Sequence, residues 1–190
     1  MSVSVRCNLG PASHRMANGR ALPGPIEVKV TTFGGFSLEV DGRPILDRDW
    51  KAANSRWLFL YLALRKGEEI AQDQLREIFW PASSVRKGHR ALLTSVYRAR
   101  QALGHHNLIE RVDQAYRLGE CCQLWLDVKE FVECHRRQKS ADGPNSDWVE
   151  RMNALYKGPF VPEYSDLWCA TMRQELAELD RQARSFAGPP

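Results

Sequence analysis

An α+β fold is predicted, and three observations predict it. Apolar and polar residues alternate from Val28 to Val40, the period of half-buried strands. Between Asn54 and Leu103 the apolar residues recur at helical spacing instead. Residues 108–119 return to a short strand-like pattern broken by polar residues, and helical stretches fill the rest.

Residues 1–25 are rich in Gly, Pro, Ser, Asn and Arg, and without periodicity they read as a disordered tail. From Ile26, Val28 and Val30 alternate with Lys29 and Thr31, and Gly34-Gly35 breaks the run. Phe36, Leu38 and Val40 form the next strand. Asp41-Gly42 marks a tight turn into a short return strand at Arg43-Pro44-Ile45. The first helix is expected from a cap at Asn54 or Ser55 to about Arg65. Trp57, Leu58, Leu60, Tyr61, Leu62 and Leu64 cover most of its circumference, which suits a buried central helix. Gly67 ends it. The second runs from about Asp73 to Trp80 with Leu75, Ile78 and Phe79 as its stripe, and Pro81 stops it. Ala71 stands where a Ser or Thr cap is usual, at a cost of about 1 kcal/mol.

The third helix is expected over Val85–Leu103, terminated by Gly104, with Leu92, Val96, Ala99 and Leu103 facing the core. Lys87, Arg90, Thr94, Tyr97, Arg98 and Gln101 fall within an arc of about 100° on its other side. Leu108, Ile109 and Val112 then lead through Asp113-Gln114 to Tyr116 and Leu118, a hairpin from which Arg111 and Arg117 project. Sheet, three helices and hairpin in that order make a winged helix-turn-helix over 26–119.

Beyond Gly119 lie a short apolar stretch, Leu124-Trp125-Leu126, and a helix capped by Asp127 to about Arg137, striped by Val128, Phe131, Val132 and His135. A polar loop over 138–146 carries Gly143-Pro144. A further helix starts near Asp147 with Trp148, Met152 and Leu155, and a last one spans about Asp166 to Phe186. Residues 120–187 are thus a small all-α, TPR-like helical domain.

The chain has 190 residues, 43% hydrophobic and 26% charged, with a net charge of +4. That balance is globular and leans basic, compatible with nucleic acid without requiring it. Five cysteines at irregular spacing, with no apolar signal segment before them, point to a reducing, cytoplasmic setting. The longest apolar run, Trp57–Leu64, is too short for a membrane span. Cys121, Cys122, Cys134 and His135 match no zinc spacing, and His105-His106 stand alone, so no metal is expected. Gly34-Gly35 opens no helix and cradles no phosphate. With no nucleophile elbow and no paired carboxylates, neither an enzyme nor a cofactor is expected.

Segment 28–119 resembles the OmpR/PhoB-type winged helix, and more narrowly the form found in SARP-type regulators, which join that reader to a bacterial transcriptional activator domain. The resemblance rests on Phe33-Gly34-Gly35-Phe36 with Val40-Asp41-Gly42-Arg43-Pro44, and on Gln74-Leu75 with Phe79-Trp80-Pro81. It continues through Ala91-Leu92, Val96, Arg98, Arg100 and Leu103-Gly104, then Tyr116-Arg117-Leu118. Leu155-Tyr156-Lys157-Gly158-Pro159-Phe160-Val161-Pro162 is similar to the activator-domain motif, with Leu167-Trp168, Arg173 and Leu176 after it. Leu93, the Asp113-Gln114-Ala115 turn and a shortened helical domain depart from the family pattern. The resemblance implies a DNA-binding transcriptional activator in the bacterial nucleoid, bound to promoter repeats as a homodimer or as tandem copies. It also implies contact with RNA polymerase holoenzyme, for which the loop Pro81–Arg86 is the place in relatives.

The candidate readers of double-stranded DNA are therefore Lys87, Arg90, Thr94, Tyr97, Arg98 and Gln101 on the third helix, with Arg111 and Arg117 on the wing. A plain solvated helix face is the competing reading. A protein-interaction module on a non-reading winged-helix scaffold is the alternative function, with Trp125, Trp148 and Trp168 lining a groove or packing in the core.

Overall fold

The computed structural model describes residues 24–140 and 146–186. The tail up to residue 23 and the Gly143-Pro144 loop lie outside the described residues. The front sheet begins with β1 (Ile26–Thr31), β2 (Ser37–Val40) and β3 (Arg43–Pro44), paired antiparallel. Asp41 and Gly42 both take positive φ, 48° and 75°, the backbone of a two-residue turn whose twist matches its strands. Val28, Val30, Leu38 and Val40 are buried and their alternates are not, as the period of two requires.

Helix α1 (Ala53–Leu64) is the buried post of the fold, with Trp57 through Ala63 all inside. Its expected cap moves. Ser55 lies within the first turn and is wholly buried, Ala52 takes the cap position, and no side chain caps the first amides. After the short strand β4 (Ile70–Ala71) comes α2 (Gln72–Phe79), then α3 (Val85–Leu103), closed by Gly104 at φ 75°. The wing is β5 (Ile109–Val112) and β6 (Ala115–Leu118), turned through Asp113 at φ 49°. Strand β4 pairs with β6, so the wing sheet has three strands, one more than the sequence pattern showed. The absent side-chain cap at Ala71 is replaced by a tertiary bond, with the Gln72 N–H donating to the Gln114 carbonyl at the wing turn, 2.9 Å away.

The stretch around Leu124-Trp125-Leu126 is a strand, β7 (Cys122–Leu126), lying parallel to β1 from Ile26↔Cys122 to Val30↔Leu126. The front sheet therefore runs β3-β2-β1-β7, and it takes a strand from beyond the wing. Helices α4 (Asp127–Lys139), α5 (Ser146–Leu155) and α6 (Leu167–Phe186) follow. In α4 the expected stripe holds at Val128, Phe131 and His135, but Val132 is exposed and Cys134 takes the buried place. The inward face is centred one position further along, toward α5.

Sheet and helices share one apolar core. The Phe33 ring lies 5.2 Å from Phe131 and 4.8 Å from Tyr156, and Trp57 stacks on Tyr164 at 4.3 Å. The polar tie is Asp127, 3% exposed. Its carboxylate accepts from the Thr32 N–H at 2.6 Å, the Thr32 hydroxyl at 2.6 Å and the Phe33 N–H at 2.9 Å, where β1 ends. It also accepts from the Val128 N–H at 2.8 Å. Opposite, Val161 sits at φ 30°, a costly conformation for a β-branched residue. Surrounding bonds enforce it: its N–H donates to the Thr32 carbonyl, and the Arg173 guanidinium donates to the carbonyls of Phe160, Val161 and Tyr164.

Two stability predictions follow from this packing. Asp127→Ala strands three buried donors at the end of β1 and is expected to cost about 3–5 kcal/mol in urea unfolding. Gly119→Ala places a methyl 1.9 Å from the Asn107 carbonyl oxygen at the base of the wing. Backbone has to move there, and a loss of about 2–3 kcal/mol is expected in the same measurement.

Candidate nucleic-acid interface

Helix α3 has two opposed sides. Leu92, Val96, Ala99 and Leu103 are at most 2% exposed and fix it to the core. Gly88 allows a close crossing: an added Cβ would meet the Arg76 side chain of α2 at 2.6 Å. At the other end Arg100 donates twice to the Ile109 carbonyl, at 3.0 and 2.7 Å, and locks α3 to the first wing strand.

The outward side brings together the six residues singled out in the sequence. Lys87, Arg90, Thr94, Tyr97 and Gln101 are exposed, and Arg98 is half-buried. Their charges are not spent internally. Among the described residues Arg56, Arg76, Arg136, Arg137, Arg181 and Arg184 all have carboxylate partners, whereas Lys87, Arg90 and Arg98 make no ion pair. The Thr94 hydroxyl donates to the Arg90 carbonyl at 2.9 Å, which leaves its oxygen lone pairs and methyl facing out. Tyr97, 61% exposed, supplies an uncovered ring.

The structure adds three features to the six residues predicted for this face. Arg86, one turn before Arg90, is exposed and unpaired among the described residues. Leu93 is 49% exposed beside Tyr97, an apolar surface on a face otherwise built from polar groups. Thirdly, a groove of about 460 Å³ runs between Ala52, Ala53 and Asn54 at the start of α1 and Lys87, Arg90, Thr94 and Arg98 on α3. The first amides of α1 have no side-chain cap, so the positive end of that helix joins three cationic side chains. Such a groove suits a phosphate. Its signal in the sequence was weak, because Asn54 and Ser55 looked like caps.

The two wing arginines part company. Arg111 is exposed, its Nε donating to the Asp113 carbonyl at 3.1 Å, and it has no carboxylate partner among the described residues. Arg117 is turned into an acidic cluster, 3.4 Å from Glu69, 3.0 Å from Glu110 and 3.2 Å from Glu120. The hydrogen bond to Glu110, above all, raises its pKa and holds it charged, yet that charge is neutralised at home. The loop between α2 and α3 is exposed at Pro81, Ala82 and Ser84, and Val85 at its end is 56% exposed.

Among the described residues no three His, Cys, Asp or Glu side chains are grouped to hold a metal. Burial raises the thiol pKa of Cys122 to about 11 and of Cys169 to about 12, which makes both poor nucleophiles. No described helix is long and apolar enough to cross a membrane.

No family model matches the chain, and no curated protein matches it. Among solved structures the chain is similar to Mycobacterium tuberculosis EmbR in complex with a low-affinity phosphopeptide, with a TM-score of 0.64 and 15% sequence identity. The match covers 84% of this chain and 44% of that chain, so this chain spans less than half the length of EmbR. At that identity the likeness establishes the fold: a winged helix followed by a helical unit, as the sequence predicted.

Proposed function

We propose that this chain is a sequence-specific, double-stranded-DNA-binding transcriptional regulator of the SARP type. One observation carries the reading: α3 presents Lys87, Arg90 and Arg98 without internal ion pairs, on the same side as Thr94, Tyr97 and Gln101. The likeness to EmbR, a transcriptional regulator, supports a regulatory role at the level of fold. Arg90 and Arg98 meet guanine edges or phosphates, Gln101 and Thr94 meet bases or backbone, and Leu93 with Tyr97 offers apolar contact to a thymine methyl. The groove at the start of α1 seats a backbone phosphate and sets the register. Arg111 reaches a flanking phosphate, and Arg117 stiffens the wing.

One winged helix reads a short site, so two copies on direct repeats, as a homodimer or in tandem, give the length a promoter needs. The exposed α2–α3 loop is the place where RNA polymerase holoenzyme is met in activation, and the nucleoid is the setting.

The test is selection of sites from a random duplex pool, with Arg90→Ala and Arg98→Ala beside the native chain. A short repeated motif is expected, and each variant loses on the order of 1–3 kcal/mol of discrimination at its own base or about one unit of salt slope. Arg117→Gln is expected to select the same motif as the native chain. Failure of the native chain to enrich any motif at low salt would sink the proposal and leave the interaction-module reading in its place.

A further inference from the structure

A second concave site lies away from the reader face. It is a half-open cavity of about 880 Å³ where the C-terminal end of α1, the C-terminal end of α2 and the start of α6 meet. Its floor is a triangle of rings: Tyr61 lies 5.9 Å from Phe79 and 5.3 Å from Trp168, and Phe79 lies 6.5 Å from Trp168. Ile78, Met172 and Leu167 extend the apolar wall, and Leu167 is left 82% exposed.

The rim fixes the chemistry of the occupant. Four carboxylates line it, Glu68, Glu77, Asp166 and Glu175, against one guanidinium, Arg65. Arg65 pairs with Glu68 at 3.7 Å, Glu77 with Arg76 at 2.8 Å, and Asp166 accepts from the Tyr164 hydroxyl. Glu175 has no hydrogen bond or ion pair among the described residues. The last carbonyls of α1 add the negative end of that helix. The molecule already shows what such a surface attracts, since the Arg65 guanidinium lies 4.7 Å from the Tyr61 ring centre. Tyr61 and Phe79 are 3% and 6% exposed, so the half-buried Trp168 supplies the open ring, and an aromatic and apolar wall under a negative rim favours an organic cation over an anion of the same shape.

We propose that this cavity is a binding site for a small hydrophobic organic cation, an aromatic or alicyclic amine whose apolar body covers Trp168, Leu167 and Met172 and whose charge faces Glu175. The site joins α1 and α2 of the winged helix to α6 of the helical unit, and its wall includes Pro81, where the loop into α3 begins. A bound cation thereby touches both halves of the molecule and the root of the reader helix. The inference stands on the cavity alone and does not rest on DNA reading.

The experiment uses the full chain without DNA and two probes of nearly equal shape and opposite charge, tetraphenylphosphonium and tetraphenylborate, followed by calorimetric titration. The chain carries a net charge of +4, so its overall field favours the borate. Preference for the phosphonium therefore reports a local site. Saturable phosphonium binding tighter than borate binding is expected. Glu175→Gln should weaken it about two- to fivefold without shifting the melting temperature of the free protein. Thr171→Trp, at an exposed position on the cavity wall, should abolish it, and Arg90→Ala should leave it unchanged. Equal or tighter borate binding, or phosphonium binding that survives Thr171→Trp, would overturn the proposal. So would an amphipathic Lys/Leu peptide displacing the phosphonium at much lower concentration, which assigns the cavity to a protein partner. Dimerisation of the native chain that Thr171→Trp removes would assign it to a second copy and overturn the proposal equally.

Discussion

The buried carboxylate of Asp127 is the joint on which the arrangement depends. It takes three donors from the end of β1, at Thr32 and Phe33, and one from the first turn of α4. A carboxyl group can sit 3% exposed only when its oxygens are matched by donors, and these four bonds match them. Because β7 runs parallel to β1 directly into α4, the same point fixes where the sheet hands over to the helical unit. The Phe33 ring then packs on Phe131 and Tyr156, and the Phe33 backbone bridges to Phe160. Winged helix and helical unit are consequently built on one core, and α6 is held against α1 and α2 rather than tethered to them.

Within that frame α3, the helix proposed to read DNA, is positioned by contacts that each involve a second element. Its apolar side rests on α1, Gly88 admits α2, and Arg100 grips the wing. The wing in turn supplies the carbonyl that caps α2. Wing turn, α2 and α3 therefore fix one another, which is the preorganisation a base-reading face requires. The distribution of charge follows the same division. Arginines with structural duties, such as Arg56, Arg117 and Arg173, are paired with carboxylates or carbonyls. Arg86, Arg90 and Arg98 on α3 and Arg111 on the wing have no carboxylate partner among the described residues.

Local patterns were legible in the sequence, and long-range pairings were not. The bounds of α3, Val85–Leu103, follow from a helical stripe and a terminal glycine. The Asp41-Gly42 and Asp113-Gln114 turns follow from residues that tolerate positive φ. By contrast β7 is specified by a partner almost a hundred residues away, and β4 is two residues long, so neither carries a readable period. Val132 and Cys134 differ by two positions on α4, and only the placement of α5 decides which is buried. For the site, the six residues of α3 share a face because geometry at 100° per residue compels it. The fate of Arg117 depended on Glu69 and Glu120, which converge only once β4 joins the wing.

Helix α1 ties both candidate sites to one electrostatic element. It is twelve residues long, about 18 Å, and is buried along its middle, so its two ends are the parts that meet a ligand. At its start, uncapped amides lie beside Lys87, Arg90 and Arg98, and partial positive charge is added to full positive charge. At its finish, the last carbonyls join a rim on which Glu68, Glu77, Asp166 and Glu175 outnumber the one guanidinium, Arg65, so the balance of sign is reversed. The basic groove and the acidic rim are thus two opposed local fields within a chain of net charge +4. A polyanion such as DNA is drawn to one end of this helix and repelled from the other. On the two proposals above, a cation in the acidic cavity and a duplex on α3 would occupy different surfaces.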